Sequence, residues 1–281
     1  MNIGIAGLGL MGGSMAKAFK HYTPDTVLGY DRKEQTVKQA LLLEAIDNEL
    51  DDERIGICDY LIVAMYPKAS IDYIKSHKDH IKKGAIVMDI SGIKGEVCRE
   101  IAPIAEECGF TFVGTHPMAG IERFGFDNSV SSMFNNASMI LVPSGDISGD
   151  DLSRIEKLWG SIGFTNIEVT SAENHDRVIA YTSQLAHICS SAYIKSPTAL
   201  DHKGFSAGSY KDLTRVAYLN ENMWTELFME NRKNLLFETE GLIRSLQEYA
   251  DALREGDEQR LHMLLKEGRE KKQAADMDDL K

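Results

Sequence analysis

The sequence has 281 residues, of which 43% are hydrophobic and 26% charged, so it is long enough for one large or two modest globular domains. Its formal net charge of −12 argues against a nucleic-acid partner, because backbone phosphates are bound mainly by clustered Lys and Arg. A small anionic ligand is compatible with this charge, since it needs only a few local cations. The sequence begins with a strand-like segment and has no apolar run long enough to span a bilayer, so we expect a cytoplasmic protein with no membrane partner.

The four cysteines predict neither disulfides nor a metal site. Cys58, Cys98, Cys108 and Cys189 form no CxxC pair, and none stands beside a His at metal-ligand spacing. We expect four reduced thiols and no bound metal.

Short apolar runs alternate with amphipathic stretches over the first 170 or so residues. The predicted strands are Asn2–Ala6, Thr26–Tyr30, Tyr60–Met65, Ala85–Ile90, Thr111–Gly114, Ser138–Val142 and Asn166–Val169. The predicted helices are Met11–His21, Ser70–Ile81, Gly95–Glu107 and Asp150–Ile162. Because strand–helix alternation requires crossover connections, it predicts an α/β domain with a Rossmann-type, mostly parallel sheet covered on both faces.

After the last predicted strand, apolar residues recur at helical spacing. One long apolar stripe runs from Trp224 to Tyr249, and a last helix is predicted from Asp257 to about Lys271. Ser171 is a candidate N-cap at the start of this region. We therefore predict a dinucleotide-binding domain over residues 1–170 and an all-helical domain over residues 171–281.

A GxGxxG turn follows the first strand and opens the first helix. In dinucleotide sites the first glycine makes the tight turn, the second lets the backbone approach the pyrophosphate, and the third lets helix and strand pack closely. The helix N-terminus then presents free N–H groups and a partial positive charge to the phosphates. The residues predicted to bind the dinucleotide are Gly7, Leu8, Gly9, Leu10, Met11 and Gly12.

An acidic residue, Asp31, follows the second strand. Its carboxylate can accept hydrogen bonds from the adenosine ribose and would repel a 2′-phosphate. Arg32 follows directly and would soften that preference. We therefore predict NAD, rather than NADP, as the cofactor; a structural turn with a surface Asp is the alternative interpretation.

A histidine stands in a Pro/Gly-rich segment, Gly114–Gly120, which we place in a turn after a strand. Parallel sheets bind ligands at the carboxyl ends of their strands. Because the ordinary pKa of an imidazole suits proton transfer near neutral pH, His116 is a candidate catalytic residue. A turn histidine bonded to a backbone carbonyl is the alternative.

Polar residues also interrupt the apolar helices of the second domain. Asp176, Ser183 and His187 share one stripe of a helix that is otherwise apolar. Such a stripe either lines a pocket or faces solvent, because burying unsatisfied polar groups is costly. Further along, Lys211 and Arg215 are either anion-binding residues or ordinary surface cations.

Together these motifs resemble the prephenate and arogenate dehydrogenases of tyrosine biosynthesis, over nearly the whole chain. Besides the GxGxxG turn, the likeness rests on the segments Asp89–Gly95, Thr115–Gly120, Ser183–His187, Lys211–Ala217, Met223–Trp224 and Asn231–Arg232. The His-Pro-Met-Ala-Gly motif, followed in order by the Ser…His and Thr-Arg elements, is quite specific to that family.

The resemblance implies NAD-dependent oxidative decarboxylation of prephenate or arogenate by a homodimer whose helical domain forms the interface. It implies that His116 accepts the proton of the ring hydroxyl and that Arg215 is the main clamp for a substrate carboxylate. The other residues expected to bind the substrate or add positive charge are Ser183, His187, Lys211 and Lys94.

A few positions depart from the family pattern. Many members have a Ser after the residue aligned with Ser91, whereas this chain has Gly92, so Ser91 is the candidate for that catalytic role. Gln184 and Ala186 stand where His and Pro are frequent. These differences bear on substrate preference and turnover rather than on the fold.

Two alternatives remain: another two-domain dehydrogenase with a different substrate, and a protein of a different functional class. A dehydrogenase of the β-hydroxy-acid type would carry a catalytic Lys on a helix four residues after an Asn, and no Asn–Lys pair on the later helices has that spacing. A non-catalytic NAD-binding sensor would explain Gly92 but not the retention of His116 and Arg215.

Overall fold

The computed structural model describes residues 1–121, 123–145 and 147–278. In these ranges the N-terminal part of the chain is built on one sheet with the strand order β3-β2-β1-β4-β5-β6-β7-β8. The strands are β1 (Asn2–Ala6), β2 (Thr26–Tyr30), β3 (Asn48–Glu49), β4 (Tyr60–Val63), β5 (Ile86–Asp89), β6 (Thr111–Met118), β7 (Ser138–Pro143) and β8 (Asn166–Val169).

The strands from β1 to β6 are parallel to one another, and the pair β6–β7 is antiparallel. β8 is parallel to β7. The prediction of an α/β fold with a mostly parallel sheet is confirmed. β5 pairs with β6 only as far as Gly114, so Thr115–Met118 project beyond the parallel strands and pair with β7 alone.

This extension of β6 corrects the prediction that the strand ends at Gly114 and that His116 lies in a turn. A proline interrupts a strand pattern in sequence, because it cannot donate to a neighbouring strand. Pro117 is accommodated because β6 has no partner on the β5 side at this point. His116 is therefore held by a strand ladder, opposite Ile140 of β7.

Helices cover both faces of the sheet. They are α1 (Leu10–Tyr22), α2 (Glu34–Leu42), α3 (Asp52–Ile55), α4 (Pro67–His77), α5 (Gly95–Cys108) and α6 (Gly149–Gly160). Phe19 and Trp159 belong to the core on one face, and Tyr73 and Phe112 to the core on the other. The sequence did not predict α2, α3 or β3; β3 has two residues, which is too short to show an alternating pattern.

The rest of the chain is helical. Its elements are α7 (Ala172–Ile179), a π-helical turn (Ala180–Leu185), α8 (Ala186–Tyr193), α9 (Gly208–Thr214), α10 (Glu221–Glu230), α11 (Arg232–Glu255) and α12 (Glu258–Asp278). The fold forms two compact units, one ending at Asn231 and the other beginning at Arg232. In the described ranges, no helix is both long enough and apolar enough to cross a membrane.

Candidate active site

The glycine turn, Gly7–Gly12, connects β1 to α1. Gly7 has φ +99°, and a Cβ there would lie 2.5 Å from the carbonyl oxygen of Ala64. A Cβ on Gly12 would lie 1.9 Å from the carbonyl oxygen of Gly7. No larger residue therefore fits at either position, because both approaches are shorter than any real carbon–oxygen contact.

Gly9 differs from these two glycines. A Cβ at Gly9 would have no heavy atom of the described residues within 4 Å, so its backbone faces open space at the N-cap of α1. In the part of the chain that the structure describes, no side chain caps this helix. The first N–H groups of α1, beginning with Leu10 and Met11, are thus available to an anion, as a dinucleotide pyrophosphate requires.

Asp31 lies beside the turn, directly after β2. Its carboxylate accepts hydrogen bonds from the backbone N–H groups of Leu8 (3.0 Å) and Lys33 (2.9 Å). The side chain is partly exposed and the neighbouring Arg32 is exposed. The acidic group predicted to meet the ribose is therefore fixed against the glycine turn, and the residues present fit a dinucleotide.

His116 is the first member of a row of three side chains that contact one another in sequence. Its Nδ1 lies 2.9 Å from Nε2 of His175, and Nδ1 of His175 lies 2.7 Å from Oδ1 of Asp176. We call these three residues the His116 triad. His175 and Asp176 are buried, whereas His116 is partly exposed and can face a ligand.

Several elements hold Asp176 in place. Its two carboxylate oxygens accept hydrogen bonds from the backbone N–H groups of Lys94 (2.9 Å) and Gly95 (2.8 Å), so this residue of α7 caps the start of α5. Asn231 donates to the carbonyl oxygen of Asp176 (2.7 Å) and to the side chain of Gln184 (2.8 Å). The predicted cap of α7 is also present, since Ser171 accepts from its first turn.

The surroundings of the triad favour neutral imidazoles. Burial lowers the pKa of His116 well below its ordinary value, and His175 and Lys94 add to this effect. Burial also lowers the pKa of His175, although its hydrogen bond to Asp176 acts in the opposite direction. Both rings are therefore uncharged at neutral pH, and His116 is in the state required of a proton acceptor.

A second cluster, the Asp89 network, lies at the end of β5. The fully buried ammonium of Lys94 forms an ion pair with the fully buried carboxylate of Asp89. Ser91 contacts the same carboxylate through its N–H (3.0 Å) and its hydroxyl, which also lies 3.0 Å from the carbonyl oxygen of Ile93. An unpaired charge buried here would be costly. Oδ2 of Asp89 receives all of these contacts, whereas Oδ1 is buried without a hydrogen-bond partner among the described residues.

The Asp89 network corrects two expectations. The sequence predicts a catalytic Ser91, but the hydroxyl of this residue is directed to Asp89 and not to His116. The sequence also predicts that Lys94 binds a substrate, but its ammonium is buried in the ion pair. Position 92 is the one beside the histidine: a Cβ on Gly92 would lie 4.0 Å from Cε1 of His116.

A third group of residues lies in the helical region. Nδ1 of His187 is 3.1 Å from the carbonyl oxygen of Val216, and its ring centroid is 3.9 Å from that of Trp224. This contact brings α8 next to the short 3₁₀ turn that begins at Arg215. Arg215 and Lys211 are exposed, and Ser183 is partly exposed in the π-helical turn.

The π-helical turn affects one prediction. The predicted stripe of Asp176, Ser183 and His187 assumes an uninterrupted α-helix, whereas a π turn adds one residue and rotates the later part of the helix by about 100°. Asp176 thus belongs to the His116 triad, while His187 contacts the Arg215 turn. His175 is not singled out by the sequence; the adjacent His-Asp pair at the start of a capped helix is the available signal.

Two family models match the chain. The first, "Prephenate dehydrogenase, nucleotide-binding domain", matches residues 15–168. The second, "Prephenate dehydrogenase, dimerization domain", matches residues 171–267. Between them they account for most of the sequence.

Individual relatives agree with these models. The chain is 31% identical to a cyclohexadienyl dehydrogenase of Zymomonas mobilis, over 91% of this chain and 89% of that protein. It is 27% identical to the prephenate dehydrogenase of Bacillus subtilis, over 93% of this chain and 72% of that one. The solved prephenate dehydrogenase of Aquifex aeolicus, in complex with hydroxyphenyl propionate and NAD⁺, superposes with a TM-score of 0.84 at 26% identity and covers 98% of both chains. This chain belongs to the prephenate dehydrogenase family.

Proposed function

We propose that this protein uses NAD to convert prephenate to 4-hydroxyphenylpyruvate by oxidative decarboxylation, or arogenate to tyrosine. The observation that carries the proposal is His116, a neutral imidazole held by its Nδ1 at the carboxyl edge of the sheet. The glycine turn lies at the carboxyl end of β1 in the same sheet. Membership of the prephenate dehydrogenase family supplies the substrate class.

The residues of the glycine turn and Asp31 would hold the dinucleotide. The backbone at Gly9 and the uncapped start of α1 suit its pyrophosphate, and Asp31 suits the adenosine ribose. When bound, NAD accepts the hydride that leaves the hydroxyl-bearing ring carbon. The carboxylate of Asp31 would disfavour the 2′-phosphate of NADP, although the exposed Arg32 reduces this selectivity.

His116 has two tasks that derive from the substrate. As hydride leaves the ring carbon, Nε2 of His116 takes the hydroxyl proton and a carbonyl forms. That carbonyl is conjugated to the carbon bearing the ring carboxylate, so carbon dioxide departs and leaves its electron pair in the ring. The oxygen that becomes phenolic then takes the proton back from His116, and the cycle consumes no net proton.

The substrate also brings two carboxylates to a protein of net charge −12. We assign the main carboxylate clamp to Arg215, because a planar guanidinium can form two parallel hydrogen bonds with a carboxylate. His187 shares a contact with the Arg215 turn, and Ser183 lies on the π-helical turn before it. Lys211, one helical turn before Arg215, adds positive charge. Ser91 and Lys94 serve instead to hold the end of β5 through Asp89.

The same proposal includes domain organisation, assembly and location. We place the domain boundary near residues 170 and 171, where the two family matches also meet. We expect a homodimer, because the C-terminal match is to a dimerization domain and α11 has large apolar side chains that are more than half exposed: Leu236, Phe237, Ile243, Leu246 and Leu253. Light scattering should give twice the mass of the chain. We expect the cytoplasm as the location, consistent with four unpaired cysteines.

The direct experiment compares prephenate and arogenate as substrates. Purified protein is mixed with NAD and each substrate in turn, and NADH is followed by its absorbance. We expect NADH from at least one of the two, and the ratio of kcat/KM values defines the preference. Saturable NAD binding without NADH from either substrate would contradict the proposal and favour a nucleotide sensor.

A further inference from the structure

The hydrogen-bonding pattern around His116 has a consequence for where its proton resides. Asp176 receives two backbone N–H groups, from Lys94 and Gly95, at the N-terminal end of α5. This end of a helix carries partial positive charge, and the carboxylate of Asp176 faces it. An ionised carboxylate only accepts hydrogen bonds. Its third neighbour, Nδ1 of His175 at 2.7 Å, must therefore carry a hydrogen.

The tautomer of His175 then determines that of His116. His175 has a completely buried side chain and is neutral, so a ring that is protonated at Nδ1 has a lone pair at Nε2. This Nε2 lies 2.9 Å from Nδ1 of His116. Nδ1 of His116 must be the donor, which leaves Nε2 of His116 without a hydrogen.

The reverse arrangement is disfavoured. If His116 carried its hydrogen on Nε2, then Nδ1 of His116 would be the acceptor and Nε2 of His175 the donor. Nδ1 of His175 would then have no hydrogen, and its lone pair would face the carboxylate of Asp176 at 2.7 Å without a hydrogen bond. The other charged groups that act on these residues are Lys94 and Asp89, on the β5–α5 side of His175, and Glu230 of α10, which interacts with Asp176 and with Glu96. None of these groups offers His175 another donor or acceptor in the described contacts.

We propose that His175 and Asp176 are positioning residues that hold His116 in the tautomer with a free Nε2, so that this nitrogen can accept the substrate proton. This rests on the proton-accepting role of His116 proposed above. Once His116 is protonated at Nε2, it still donates its Nδ1 hydrogen to His175. The negative carboxylate of Asp176, on the other side of the His175 ring, stabilises the positive charge that develops on His116. No proton is lost from the triad during the cycle.

The tautomer can be measured without any turnover. In protein labelled with ¹⁵N-histidine, the ring nitrogens of His116 are assigned by comparison with His116→Asn. We expect a protonated Nδ1 and an unprotonated Nε2 in the wild type at neutral pH. A protonated Nε2 of His116 in the wild type would overturn the proposal.

Two substitutions at His175 provide the kinetic test. His175→Gln keeps an oxygen acceptor within reach of Nδ1 of His116, whereas His175→Leu removes it. We expect His175→Leu to lower kcat by about 10²-fold or more with little change in the Kd of NAD, and His175→Gln to recover most of that loss. Glu173→Gln, on the exposed face of α7, is the matched control. Equal kcat in the Gln and Leu variants would contradict the positioning role.

Asp176→Asn is the stronger perturbation. Its amide nitrogen can donate to His175 and so reverse both tautomers, which the ¹⁵N shifts would show as a protonated Nε2 on His116. Because Asp176 also caps α5, the folding of this variant is first compared with that of the wild type by circular dichroism. If the variant unfolds, the His175 variants alone test the positioning role. The tautomer and the proposed function can fail separately. If the ¹⁵N shifts are as expected but neither prephenate nor arogenate is turned over, the tautomer is supported and the proposed function is overturned.

Discussion

The glycine turn is made of backbone from consecutive residues, whereas the His116 triad is made of side chains brought together from distant parts of the sequence. At the turn, Gly7 and Gly12 are fixed because no Cβ fits, and side chains matter little. In the triad, His116 contacts a residue 59 positions away, and Asp176 accepts from a backbone group 82 positions away. We therefore expect the glycine turn to lose NAD affinity when a side chain is added, and the triad to lose activity when a hydrogen bond is removed.

The largest effect should come from removing the proton acceptor. His116→Asn should lower kcat by about 10²–10⁴-fold, because a positioned general base typically contributes that much. The Kd of NAD should stay close to wild type, since the glycine turn is untouched. Initial rates with prephenate and fluorescence titration with NAD measure the two values. Wild-type turnover in this variant would show that His116 has only a structural role.

The next largest effect should be at Arg215. Loss of a charge-assisted carboxylate contact costs about 1.5–3 kcal/mol, which corresponds to a roughly 10- to 100-fold rise in KM. Arg215→Ala should show this rise with unchanged NAD affinity. Arg215→Lys keeps the charge without the planar fork and should recover only part of the loss. A KM within twofold of wild type in Arg215→Ala would place the clamp elsewhere, with Lys211 the next candidate.

Two glycine substitutions separate ligand contact from packing at the turn. In Gly12→Ala the backbone must move, so both the melting temperature and NAD affinity should fall, the latter by about tenfold or more. In Gly9→Ala the new methyl enters open space, so the melting temperature should hold while NAD affinity falls. Calorimetry with and without NAD measures both. Unchanged NAD affinity in Gly9→Ala would mean that no ligand approaches this backbone.

The smallest effect should arise at Glu230, next to the acidic end of the triad. Burial, reinforced by Glu226, Glu96 and Asp176, raises its pKa to about 7, and one of its oxygens is buried without a hydrogen-bond donor in the described contacts. Because the pKa of Glu230 is higher in the folded state than the value of 4.5 in the unfolded state, this residue contributes fully to stability below pH 4.5. That contribution is lost as the pH rises through about 7.

Glu230→Gln removes this dependence on pH. Relative to wild type, its melting temperature should rise by roughly 1–3 °C at alkaline pH and not at acidic pH, a small effect because the carboxyl is only half-buried. Glu240→Gln, exposed on α11, is the control. An equal gain at both pH values would contradict the assigned pKa.

The contrast between turn and triad also explains what the sequence could predict. The glycine turn and Asp31 are predictable because consecutive residues and one strand end determine them. His116 is identifiable as a residue but not as part of a strand, because Pro117 conceals the extension of β6. His175 escapes prediction because its role depends on the packing of α7 against β6 and α5.

Burial accounts for the two misassigned roles. Ser91 and Lys94 have the residue types of a catalytic and an anion-binding group, and only the structure shows that Asp89 engages both. The sequence does record the change at Gly92, where a Cβ would contact Leu227 and Cε1 of His116. Sequence patterns thus select candidate residues by their chemical type, while tertiary contacts determine which of these side chains are already engaged by other residues.

The most direct measurement of the central claim is the pH dependence of kcat/KM for the preferred substrate in wild type and His116→Asn. His116 must be unprotonated to act, and its surroundings lower its pKa, so activity should be level through neutral pH and fall only at pH values well below 6.5. The residual activity of His116→Asn should lack this acidic limb. An acidic limb centred at or above 6.5, or one that persists in His116→Asn, would contradict the assignment of His116 as the proton acceptor.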